Sequence, residues 1–158
     1  MANTQAMTTS FLGELMTATH NFGTAPIRAA TTADTFKAAL YLTSATINAA
    51  TTAYSSSGEV TGTNYTAGGV TVTNATAPIA TNSSATAGVA YWTPSASITY
   101  TNVTLTTAFD AVLIYNSTQS NKAVSVHTFG SQTITAGTFT LTMPSNTTTT
   151  ALLRLSTT

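Results

Sequence analysis

The stretch that decides the fold is Ala111-Val112-Leu113-Ile114-Tyr115-Asn116-Ser117-Thr118-Gln119-Ser120-Asn121-Lys122-Ala123-Val124-Ser125-Val126-His127. Ala111 to Tyr115 is apolar on both faces, the pattern of a strand covered on each side of its sheet. Asn116 to Asn121 is a run of turn formers. Ala123 to His127 returns with β-branched residues, so the two arms predict an antiparallel hairpin.

Moving upstream, Ser97-Ile98-Thr99-Tyr100 and Val103-Thr104-Leu105-Thr106 alternate, but out of phase with each other. A phase change inside an extended run predicts a bulge near Thr101-Asn102. Further out, Phe36 to Leu42 alternates with Phe36, Ala38, Leu40 and Leu42 on one face. Val70 to Thr73, Gly88 to Thr93, Thr138 to Met143 and Ala151 to Leu155 complete about eight short strands separated by turn signals. The fold class expected is mainly β: an antiparallel β-sandwich or jelly-roll-like barrel with one short N-terminal α-helix.

The helix is expected over about 10–20. Phe11, Leu12, Leu15 and Met16 share a helical face, with Ser10 as N-cap and Glu14 in the first turn. His20 is placed near the helix end, and Gly23 is expected to terminate it. Residues 1–9 read as a polar arm, and 10–158 as a single domain.

Composition narrows the function. The chain has 158 residues, of which 40 are Thr, while Asp, Glu, Lys and Arg together number only 8 and balance to zero net charge. An average domain carries roughly 25% charged residues. Four scattered cations make no patch for a nucleic acid. No run of about 18 apolar residues exists to span a membrane, and no secretory leader pattern opens the chain. With no Cys there is no disulfide and no thiolate chemistry. Thr falls on the outward positions of the alternating strands, where β-branching favours extended backbone.

The acid–base inventory is two His and four carboxylates. Ser125, His127 and Asp110 could be imagined as a triad, but Ser125 and His127 at i and i+2 are expected to sit too far apart for a preset hydrogen bond. No nucleophile-elbow Gly-x-Ser-x-Gly is present. No ligand spacing points to a metal, and the glycines at 58, 62, 68 and 69 read as backbone turns. No catalytic residue, cofactor or metal site is therefore expected, and the chain reads as a non-enzyme. Stability is expected to change little with salt; were it to fall sharply at high NaCl, Glu59 and Asp110, beside apolar segments, would be the first suspects for a buried ion pair. Tyr91 and Trp92 are the candidates for stacking on a sugar. The apolar face Phe11, Leu12, Leu15 and Met16 is the candidate partner interface.

Several segments resemble small tailed-bacteriophage virion structural proteins. They are Phe36 to Tyr41, Ala50 to Tyr54, Leu113 to Asn116, Asn121 to Val124, Phe129-Gly130 and the helical opening Phe11 to Phe22. The most specific is Glu59-Val60-Thr61-Gly62-Thr63-Asn64-Tyr65-Thr66-Ala67-Gly68-Gly69. The resemblance implies a virion component made in the host cytoplasm, and carries no functional residues with it. The expected role is a capsid decoration (cement) protein on the capsid surface. Its expected partners are the major capsid protein and further copies of itself, as a homotrimer by analogy with other decoration proteins. The alternative is a tail- or head-fibre module that binds a host-surface glycan.

Overall fold

In a computed structural model the described residues are 3–16, 19–20, 22, 33–73, 78–80 and 88–156. They form β1 (Ala6–Met7), α1 (Thr9–Met16), β2 (Phe36–Leu42), β3 (Val70–Thr71), β4 (Ile79–Ala80), β5 (Val89–Trp92), β6 (Ile98–Asn116), β7 (Lys122–Leu141) and β8 (Leu153–Ser156). One sheet runs β1-β7-β6-β2-β3 and a smaller one runs β4-β5-β8, with every pairing antiparallel. The mainly β, antiparallel, sandwich-like class read from the sequence is what the chain adopts.

The hairpin at 111–127 is the centre of the fold. Ala111 to Tyr115 are all buried, and Val112, Leu113 and Ile114 pair with His127, Val126 and Ser125. On its other side the same strand pairs with β2, from Phe36↔Asn116 to Leu42↔Phe109. Two apolar clusters lie on opposite faces of this sheet. Phe36, Ala38 and Leu40 enter one with Val112 and Ile114, while Ala39 and Tyr41 enter the other with Leu113 and Tyr115. Ile47, Ala45 and Tyr54, from the segment after β2, cover the second face.

β6 and β7 are longer than the short strands expected, because each runs through bulges instead of ending. The register shifts between Tyr100 and Val103, where Asn102 takes φ 51°, so the bulge read from the phase change is present. On β7, Ala136 takes φ 47° and its amide donates to Thr104 Oγ1 at 3.0 Å. These bulges fold the ribbon back. The rings of Phe129 and Phe139 lie 5.1 Å apart, whereas ten residues of straight strand would separate them by about 33 Å. The far half of the ribbon thus lies over β2, where the Tyr100 hydroxyl donates to the Ala38 carbonyl at 2.8 Å. A single hairpin supplies both layers, and Trp92 and Leu153 of the small sheet close the same core.

The N-terminal expectations are corrected. The segment read as an arm is part of the large sheet: Ala6 and Met7 pair with Val126 and Ser125. Asn3 donates to Asp110 Oδ1 at 2.6 Å and accepts from the Ile47 amide at 3.1 Å. The helix starts at Thr9, so Ser10 lies inside it and is not its N-cap. Glu14 is beyond the first turn, and His20 lies outside the helix. Gly23, its expected terminator, is outside the described residues.

Candidate functional site

The block Glu59 to Gly69 builds an extended polar arrangement around one buried carboxylate. Glu59 is buried at 6% exposure beside β2, bridged to Tyr41. Its Oε1 accepts from the Tyr65 hydroxyl at 2.7 Å and the Gly68 amide at 2.8 Å, and its Oε2 accepts from the Tyr54 hydroxyl at 2.6 Å. Among the described residues no cation meets this carboxylate. Three neutral donors satisfy it, as burying a charge requires.

A second ring of tyrosines holds the first. Tyr115 donates to the Gly68 carbonyl at 2.8 Å, and the Tyr41 hydroxyl donates to the Ser55 carbonyl at 2.5 Å. Tyr54 stacks on Tyr115 and Tyr65 on Tyr100, with planes within 18°. Burial raises the phenols of Tyr54, Tyr65, Tyr100 and Tyr115 above their ordinary value, and the Glu59 charge adds to this. Burial pushes Tyr41 up to about 12. All five therefore stay protonated at neutral pH and act as donors. Gly69 has φ 71° and lies so close to β2 that a Cβ there would run into the Ala38 carbonyl. This arrangement clasps a glycine-rich loop to β2; it contains no free nucleophile.

A second polar cluster ties α1 to the tip of the hairpin. Glu14 accepts from Lys122 Nζ at 2.5 Å and faces His20 Nε2 at 2.6 Å. His20 Nδ1 meets Asn116 Nδ2 at 3.1 Å, and the same amide nitrogen donates to Asp34 Oδ2 at 2.8 Å. Asn116 Oδ1 accepts from the amides of Thr118 and Gln119, which fixes which way its carboxamide points. Nδ1 of His20 must then be the acceptor, and Nε2–H donates to Glu14. A neutral imidazole satisfies every contact; a second proton on Nδ1 would face the Asn116 NH2. Burial also holds His20 below its ordinary pKa, against the pull of Glu14. Burial alone would raise the Glu14 carboxyl, but hydrogen bonds from Lys122 and His20 outweigh it and leave the group below its usual value.

Ser125 and His127 contradict the spacing argument made from the sequence. Ser125 Oγ and His127 Nε2 lie 2.9 Å apart on one face of β7, where the two residues pair in regular register with Ile114 and Val112. The pair still lacks a triad's third member: Asp110 is engaged by Asn3. Ser125 is only 1% exposed, and burial lowers the His127 pKa to about 4, far from that of a base poised at neutral pH.

The other predicted sites are placed as follows. Phe11 is buried in the main core, and Leu15 packs against it while staying partly exposed beside a small apolar hollow. The side chains of Leu12 and Met16 lie outside those described. Trp92 is 2% exposed, packed on Phe22 at 4.8 Å, which corrects its assignment as a sugar platform. Tyr91 is half-buried and lines a small apolar hollow with Met7, Phe11 and Leu155. Among the described residues no three His, Asp or Glu side chains converge to hold a metal, and no helix is long and apolar enough to cross a membrane. No family model, curated protein or solved structure matches the chain.

Proposed function

We propose that this chain is a bacteriophage virion structural protein, a decoration (cement) protein that binds the major capsid protein at the capsid surface and performs no catalysis. The observation that carries this reading is where the charges go. All four carboxylates of the chain, Glu14, Asp34, Glu59 and Asp110, are tied into hydrogen bonds or ion pairs within the fold. The exposed faces of the strands carry Thr71, Thr99, Thr101, Thr106, Thr133, Thr138 and Thr140 instead. Such an exterior binds through hydrogen bonds and shape, with little for salt to screen, and suits a part held permanently in an assembly. The resemblance of the Glu59 to Gly69 block to phage virion proteins points the same way. The fibre alternative keeps only half-buried Tyr91 of its two stacking candidates, since Trp92 lies in the core.

The test is binding to purified shells lacking this protein. Co-sedimentation should saturate at a fixed ratio to the major capsid protein and persist from low salt to about 1 M NaCl. Absence of binding overturns the reading.

A further inference from the structure

We propose that the outer edge of β7 over Gly137–Leu141 pairs antiparallel with the same edge of a second copy, about a twofold axis. This inference stands on the fold and does not depend on the virion reading. On its inner side this run is held by β6, through Val103↔Gly137, Tyr100↔Phe139, Thr99↔Thr140 and Ile98↔Leu141. Its outer side has no partner among the described residues; β1 covers β7 only at Ser125 and Val126.

An open edge presents a row of unpaired backbone donors and acceptors, and proteins usually defend it with Lys, Pro, a bulge or a covering element. Here no Asp, Glu, Lys or Arg occurs between Lys122 and Arg154, and the first Pro is Pro144, beyond the strand. The bulge at Ala136 lies before the run, and from Phe139 to Leu141 the pairing with β6 is regular.

The occupant that fits is the same edge from another molecule. It brings no charge, so nothing repels. Thr138 and Thr140 are exposed while Phe139 and Leu141 pack against the core. A copy laid alongside continues the hydroxyl face and the apolar face together. An antiparallel twofold arrangement matches donors with acceptors. A five-residue ladder falls well below the roughly 1,000 Å² of a stable solution interface, so the pair is weak when free. It strengthens wherever copies are already held close together.

The experiment is sedimentation velocity on the full chain up to about millimolar concentration, where a weak pair is populated. Monomer–dimer exchange is expected. Thr138→Lys/Thr140→Lys and Thr138→Glu/Thr140→Glu should each weaken it about tenfold or more, because like charges then face each other across the axis. Mixing the two variants at low salt should restore a heterodimer. The substituted side chains are exposed, and circular dichroism checks that the fold is kept; the single Thr140→Lys substitution serves if a double variant does not fold. A chain that stays monomeric, a trimer, an association indifferent to these charges, or a mixture no stronger than its parts overturns the proposal.

Discussion

Glu59 shows how one side chain organises a loop. Three donors converge on it, two of them tyrosine hydroxyls with raised pKa values that remain protonated. Glu59→Gln keeps the volume but removes the charge and turns an NH2 toward a donor. Urea unfolding should show a loss of roughly 3 kcal/mol, since hydrogen bonds to a charged group contribute about 1.5–3 kcal/mol each. Gly69→Ala should cost at least about 2 kcal/mol, because it adds a Cβ at positive φ against the Ala38 backbone. The sequence showed the glycines of this loop as backbone turns and placed Glu59 beside an apolar segment. It could not announce the acceptor role. Tyr54, Tyr65, Tyr100 and Tyr115 are scattered along the chain, and only the folded-back ribbon brings them together. Trp92 was misread for the same reason: an aromatic beside a loop is indistinguishable in sequence from one that turns inward.

At the scale of elements, the hairpin tip and β7 carry the pH response. His20 and His127 are both held below their ordinary pKa by burial, His127 at about 4. The unfolded chain therefore takes up protons first as pH falls through about 6.5. Stability is fully present above that value and is lost on going down toward pH 4. His127 contributes at most about 3 kcal/mol of that loss. Unfolding midpoints between pH 7.5 and 4 should fall steadily, and His127→Gln should flatten the curve. The strands themselves were legible because period-two alternation is a local property. The doubly apolar Ala111 to Tyr115 run located the centre of the sheet, and the phase change at Thr101-Asn102 located a bulge. What alternation cannot give is continuity: a bulge breaks the period without ending the strand, so β6 and β7 read as several pieces. The Ser125–His127 contact depends on how two side chains on one strand face lean toward each other, which alternation does not give either.

For the whole molecule, the unusual fact is an exterior almost without charge. With the carboxylates turned inward, unfolding free energy and self-association should change little between low salt and about 1 M NaCl. A large change would locate important charges outside the clusters described. The exterior composition was visible in the amino-acid counts; its physical origin, four carboxylates spent on internal contacts, was not. The decoration role proposed for this chain implies that it covers a shell in proportion to the capsid subunits. Quantitative mass spectrometry of the purified particle tests this most directly. The expected result is hundreds of copies per virion, in a simple ratio to the major capsid protein; a dozen or so copies, the stoichiometry of a tail component, would contradict it.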